Sequence, residues 1–337
     1  MKLFPVELHT HTHHSDGSFR VRELCEEAQS LGYSALAITD HNTYAGYEEV
    51  KSNSFVDELN LFLVKGIEWT TFHGHFLVYG QSPQITWTDV LLNNIHQVFE
   101  QLHHNGNLIT IAHPFDVGSP ICTGCAWDYQ LEDYSYVNEI EIWNSENPHL
   151  SFSNEKAYNF WLVLLDQGYQ IACTCGRDWH GASEENDRVG IKYIETEDKL
   201  DEERLEEAIR NGRSFISLGP VLKWHLTSQG KRYHMGDKFV ISSALTTRID
   251  LTILPAELKH LSHNNYQNLT VKIFNNRNCI FKKNYPGNFD KSYQETLDVN
   301  NLEKGYLRIE IQGNFKGDLA RLVISNPIYL YDSTEGR

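Results

Sequence analysis

One pattern governs roughly the first 220 residues: a short apolar run, then a stretch whose apolar residues recur at helical spacing, then another apolar run. The runs at 6–8, 35–39, 61–64, 75–79, 108–112, 139–143, 171–174, 189–194 and 214–217 read as strands. Between them, Val21, Leu24, Cys25, Ala28 and Leu31 line a helix face that Gly32 ends. Leu91, Leu92, Ile95, Val98, Phe99 and Leu102 line a second, with Thr88 as its expected N-cap and Gly106 past its end. Two more helices are expected at 154–167 and 201–211. Strands separated by helices run parallel, because only a crossover connection can join them that way. The expected fold is therefore α/β, with the repeated units closing into a barrel.

Past Pro220 the period changes. Runs at 224–226, 247–254, 269–274, 306–311 and 321–324 alternate apolar and polar residues and are separated by Asn, Gly and Pro clusters. That pattern suits a smaller antiparallel β-sandwich. The expected organisation is a barrel over residues 1–222 and a sandwich over 223–337.

The chemistry-bearing residues gather where the expected strands end. The first run leads into Glu7-Leu8-His9-Thr10-His11-Thr12-His13-His14-Ser15-Asp16-Gly17. His9 and His11 are two apart, so on an extended strand both rings point to one side and can grip one cation. The second run ends in Thr39-Asp40-His41-Asn42. The third gives Gly66-Ile67-Glu68 and, after a turn, His73-Gly74-His75. Later ends supply Ala112-His113-Pro114 and Gly176-Arg177-Asp178-Trp179-His180. In a parallel βα barrel the C-terminal ends of the strands open on one face, so ligands distant in sequence converge there. Imidazole and carboxylate donors suit borderline divalent ions such as Zn, Mn or Fe. A lone His-x-His says little; five strand-end clusters of ligand type point to a metal site.

These motifs, in this order across residues 7–180, resemble the PHP (polymerase and histidinol phosphatase) superfamily of metallohydrolases: a leading His-x-His, Ser-Asp-Gly, Thr-Asp-His, an isolated Glu, His-Pro and a closing Asp-x-His. The stretches Gly66-Ile67-Glu68-Trp69-Thr70-Thr71, Gly74-His75, Ile142-Trp143-Asn144 and Asn326-Pro327-Ile328-Tyr329-Leu330 resemble its CehA/McbA-like branch. The resemblance implies a distorted (β/α)7 barrel with two or three divalent ions. It implies that His9, His11 and Asp178 hold a first ion, that Asp16, His41 and His180 hold a second, and that His75 and His113 hold a third. Glu68 would bridge the first and third. Arg177 departs from the small residue usual before the last Asp. Two cations sharing a water lower its pKa toward neutrality, which would make the reaction a hydrolysis without a Ser or Cys nucleophile.

The remaining candidates divide between functional and bland readings. Arg177 is a candidate ligand for a substrate phosphate or carboxylate, against an ion pair with Glu184 or Glu185. Asn144 is expected to face the pocket, against a turn-forming role. Cys122, Cys125, Cys173 and Cys175 have the donor type of a four-thiolate zinc site, but a core-strand cysteine packs as a small hydrophobe, and inert reduced thiols are expected. His96, His103 and His104 read as surface residues.

Composition sets outer bounds. A net charge of -16 argues against general affinity for nucleic-acid backbones, although it leaves room for one local phosphate pocket. No secretory h-region and no apolar stretch of ~20 residues is seen, so a cytoplasmic protein without membrane contact is expected. The leading expectation is a phosphoesterase acting on an anionic small molecule. Its rivals are a carboxylic or carbamic esterase or amidase on the same ions, a binding protein with a dead site, and a nuclease.

Overall fold

The structure, a computed structural model, describes residues 1–117, 124–182, 188–242, 246–256, 258, 266–315 and 317–332. The N-terminal strands are β1 (Lys2–Glu7), β2 (Ala35–Ile38), β3 (Phe62–Thr71), β4 (Gly74–Tyr79), β5 (Leu108–Ile111), β6 (Glu139–Asn144) and β7 (Ala172–Gly176). They are hydrogen-bonded in that order. β1, β2 and β3 pair in parallel, β3 and β4 form an antiparallel hairpin, β5 pairs antiparallel to β4, and β5, β6 and β7 are again parallel. Beyond the named strands, a parallel bridge between Thr10 and Trp179 brings the two ends of this arc together. His11 N donates to Trp179 O (3.0 Å) and Trp179 N donates to His9 O (3.1 Å).

Among the described residues, four α-helices sit between these strands: α1 (Val21–Leu31), α2 (Ala45–Lys51), α3 (Ile95–His104) and α4 (Phe152–Asp166). α1 buries Val21, Leu24, Cys25 and Ala28, and ends at Gly32, whose φ of 92° is the left-handed conformation that a helix stop favours. Ser151 caps α4 by accepting from Asn154 N (3.2 Å). α3 starts later than the sequence pattern suggests. Its N-cap position is Asn94, not Thr88, and Leu91 and Leu92 are exposed in the turn before it. Asn94 holds that turn, accepting from Leu91 N and donating to Asp89 O. The β3–β4 hairpin also leaves no place for a helix, so this arc is not a strict strand–helix alternation.

The chain then runs through β8 (Ile191–Thr196), α5 (Glu202–Asn211) and β9 (Ser214–Ser217). Asp201 caps α5 through Arg204 N (3.1 Å). Leu205, Ala208 and Ile209 of α5 belong to one apolar cluster with Val6, Ala35, Ala37, Val64, Leu77 and Leu108, which draws on β1 to β5. After it come β10 (Val221–Ser228), β11 (Lys231–Tyr233), β12 (Lys238–Ile241), β13 (Thr247–Leu254), β14 (Tyr266–Asn275), β15 (Asn278–Asn288), β16 (Tyr293–Val299), β17 (Gly305–Phe315), β18 (Asp318–Ser325) and β19 (Ile328–Asp332).

These late strands fall into two sheets. β11, β10, β13 and β16 form a four-stranded antiparallel sheet. β12, β14, β15, β17, β18 and β19 extend the N-terminal sheet, because β18 pairs antiparallel with β9, which pairs with β8, which pairs with β1. The 222/223 boundary expected from the sequence falls inside β10. A further tie comes from Asn326. Its Oδ1 accepts from Cys173 N (2.6 Å), and its Nδ2 donates to Cys173 O (3.1 Å) and Ser214 Oγ (2.9 Å). Among the described residues no helix is long and apolar enough to cross a membrane.

Candidate metal centre

Among the described residues nine side chains meet: seven lie beyond the ends of β1, β2, β5 and β7, while Glu68 reaches in from within β3 and His75 from β4. Glu68 lies at the middle and is wholly buried. Its Oε2 is 3.3 Å from His9 Nε2, 3.2 Å from His11 Nε2 and 2.9 Å from His41 Nδ1. Its Oε1 is 3.0 Å from His75 Nδ1 and 3.2 Å from His113 Nε2. One carboxylate thus faces two sides. Asp178 Oδ1 closes the first side, 3.3 Å from His9 Nε2 and 3.0 Å from His11 Nε2. Asp16 Oδ1 lies 3.4 Å from His41 Nε2 and 3.1 Å from His180 Nε2. Three groups of potential ligand atoms result: His9, His11, Glu68 and Asp178; His11, Asp16, His41 and His180; and His41, Glu68 and His75. In the first, His9, His11 and Glu68 are buried and Asp178 is half-buried, while Asp16 and His180 open toward solvent.

Local structure explains why these side chains converge. His9 and His11 leave β1 two residues apart and so project the same way. Asp178 and His113 hold positive φ, 51° and 26°, a conformation that side chains other than Gly, Asn and Asp seldom take without compensation. Gly176 permits the closest approach: a Cβ there would lie 2.2 Å from Glu141 Oε1 and 2.6 Å from His9 Cβ. The turn carrying Asp16 is pinned by Asp40, which accepts from Thr12 N, Thr12 Oγ1 and Ser15 Oγ at 2.7–2.8 Å.

The electrostatics show what the cluster lacks. Burial pushes the Glu68 carboxyl up, but the charge of His9 and the close imidazoles of His11, His113 and His41 hold it well below the usual carboxylate range. Burial opposes charge on His41, yet bonding to Asp16 and Glu68 raises it to about 10. The same contest raises His113 to about 9. The protein thus presents buried anionic oxygens that call for positive charge. Several of the buried atoms also have no hydrogen-bond partner: His9 Nε2, both nitrogens of His11, Glu68 Oε2, His113 Nδ1 and Asp178 Oδ1. Orphaned buried polar atoms are costly, and a cluster of N and O atoms about 3 Å apart fits divalent cations. The residues therefore fit the ions that the sequence pattern implies.

Behind this cluster stands a supporting set whose members lie within the strands rather than beyond their ends. Glu141 Oε1 is 3.1 Å from His9 Nδ1, and its Oε2 accepts from His113 N and Asn144 Nδ2, both at 3.0 Å. Glu7 Oε1 accepts from His9 N (3.1 Å) and Arg177 N (3.2 Å). Burial raises the Glu7 carboxyl to about 7, against the pull of the Arg177 charge. A signal was present: carboxylates at positions 7, 139 and 141 sit on otherwise apolar strand runs, and a buried carboxylate needs a partner.

Two expected substrate contacts lie elsewhere than the sequence reading placed them. Arg177 is buried, and its guanidinium stacks on the indole of Trp179, 3.7 Å from the ring centroid. Trp179 in turn packs edge-on against Phe19. Asn144 is buried and directed at Glu141 and Ser145, behind His9. Glu184 and Glu185, the alternative partners of Arg177, lie outside the described residues, as does Cys122. Cys173 and Cys175 are buried in β7, and burial pushes the Cys173 thiol above its usual range.

Residues 7–171 match the family described as the PHP domain. Seven of the nine clustered residues fall inside that stretch, and Asp178 and His180 follow it. Over 131 residues, 32% of this chain, the sequence is 30% identical to the DNA polymerase/3'-5' exonuclease PolX of Bacillus subtilis (strain 168), and that match takes in 23% of the relative's length. The fold is similar, with a TM-score of 0.50 and 15% identity, to a two-domain protein of Bacteroides vulgatus ATCC 8482 containing a predicted PHP-like metal-dependent phosphoesterase. That likeness covers 97% of this chain and 95% of the other.

Proposed function

We propose that this protein is a metal-dependent hydrolase that cleaves a phosphoester of a small molecule, using two or three divalent transition-metal ions. One observation carries the reading: Glu68 shares its two oxygens among five imidazoles, with Asp16 and Asp178 completing groups of ligand spacing. Bound there, divalent ions supply Lewis acidity and bring the pKa of a coordinated water toward neutrality. The chain's own residues do the rest. Glu68 holds the two sides at fixed separation. Glu141 and Asn144 orient His9 from behind. Asp16 and His180 form the solvent-open edge by which a substrate reaches the buried side.

The match to the PHP domain and the relationship to a polymerase and exonuclease support a phosphorus–oxygen bond as the target. A second reading, hydrolysis of a carboxylic or carbamic ester or an amide, keeps the ions and is favoured by the position of Arg177. Stacked on Trp179, its charge is not displayed to a substrate anion. A panel of phosphomonoesters, phosphodiesters and carboxyl esters, run separately with Mn, Zn and Fe, tests the choice. Turnover of phosphoesters alone is expected. Turnover confined to carboxyl esters or amides would replace the first reading by the second.

A further inference from the structure

A second group of ligand atoms lies outside the nine-residue cluster and shares no residue with it: His13, His14 and Glu49. Neighbouring residues on an extended strand point to opposite faces, so adjacent histidines seldom serve one ion. Here they do not lie on a strand. Residues 13–16 form a turn closed by Ser15 N and Gly17 N donating to Thr12 O at 3.1 and 3.0 Å. The turn swings both rings to one side, with centroids 4.3 Å apart. Glu49 of α2 meets them there: its Oε2 is 2.6 Å from His14 Nε2 and 4.0 Å from His13 Nε2.

We infer that His13, His14 and Glu49 form a separate peripheral site for one borderline divalent ion such as zinc. Two imidazoles and a carboxylate select such ions over calcium or magnesium, which prefer all-oxygen shells. Three protein ligands leave positions for water, as in open zinc sites. The frame is built before any ion arrives. Asp40 pins the turn through Thr12 and Ser15, and Ser52 Oγ and Asn53 Nδ2 tie down the backbone of Glu49 at 2.8 and 2.7 Å. The side chains of His13 and Glu49 are 47% and 38% exposed, so an ion enters directly from solvent and is held more weakly than in the buried cluster.

The test is a count. Ion-free full-length protein is titrated with zinc chloride in equilibrium dialysis, alongside the His14→Ala and Glu49→Gln variants. Wild type is expected to bind one zinc more per chain than His14→Ala. Glu49→Gln is expected to bind that zinc about tenfold more weakly or worse, since loss of even an outer partner of a metal ligand costs about that much. All three proteins keep the nine clustered residues, so the difference is measurable whatever those residues bind. Copper(II) added to wild type at one equivalent beyond the filled cluster should show nitrogen couplings in its electron paramagnetic resonance spectrum, and His14→Ala should lose them. Melting of the ion-free proteins checks that these surface substitutions leave the fold intact. Equal stoichiometry and affinity in correctly folded variants would overturn the site.

Discussion

Glu68 has no role in the apolar core; it is a buried anion whose partners are all imidazoles. Replacing it with Gln keeps the shape and removes the charge. Glu68→Gln should lower turnover by about 10²–10³-fold, the scale seen when one preorganised electrostatic group is lost. Elemental analysis should show at least one ion fewer per chain. Wild-type turnover in that variant would end the bridging assignment. Glu141 tests a subtler point, because it touches His9 Nδ1 and never reaches the centre itself. An outer carboxylate fixes ring orientation and raises imidazole basicity. Glu141→Gln should therefore weaken ion binding by about 10–100-fold, read by competition against a chelator. Unchanged affinity would show that other contacts set the His9 ring.

Direction decides the fate of Arg177. Beyond the end of β7, Asp178 at a φ of 51° turns into the cluster, while Arg177 turns away from it. Proximity in sequence placed Arg177 near the ions; direction places it over Trp179. Arg177→Ala should thus reduce stability by about 2 kcal/mol, the scale of a desolvated cation–π contact. Any loss of activity should be equal on phosphorylated and neutral substrates, and a loss confined to phosphorylated ones would restore the anion-binding role. Strand period explains what the sequence revealed. His9 and His11 were legible as a pair because strand period alone puts them together. Most of the strand and helix order through β9 was legible because its strand runs are largely apolar. β15 and β16 were not, since their side chains, including Lys282, Lys283, Asp298 and Glu295, are largely exposed or half-exposed and leave no apolar period to read. Leu91 and Leu92 fit the helical period, but the Asn94 side chain holds them in a turn ahead of α3, a contact that the period does not reveal.

At the scale of the whole molecule, long-range pairing outweighs the change of period near Pro220. The β9–β18 ladder was invisible in sequence, because nothing local to either strand names its partner more than 100 residues away. Asn326 reinforces that ladder, satisfying both backbone groups of Cys173 in β7. Asn326→Ala removes three hydrogen bonds and leaves buried peptide groups unpaired, a loss of about 2–4 kcal/mol. Urea unfolding should show it as a lower midpoint of a single transition. Two separate transitions, with only the later strands destabilised, would show that the two halves melt independently. The pairing of Thr10 with Trp179 has a consequence of another kind. Among the described residues the bridge itself has two backbone hydrogen bonds, donated by His11 and Trp179, with Ser18 N to His180 O (2.6 Å) and Arg177 N to Glu7 Oε1 (3.2 Å) beside them. The side chains beside those bonds, His9, His11 and Asp178, are the ones that would hold a common ion. Such an ion is a rivet: it fastens two edges of sheet that the backbone alone only tacks together, and opening the seam means losing it. Hydrogen–deuterium exchange at the amides of His11 and Trp179 should slow by at least about tenfold on ion loading, a coupling of ~1.4 kcal/mol, while amides in the β10–β13 ladder should not respond. If the seam exchanges at the same rate with and without ions, the rivet holds nothing.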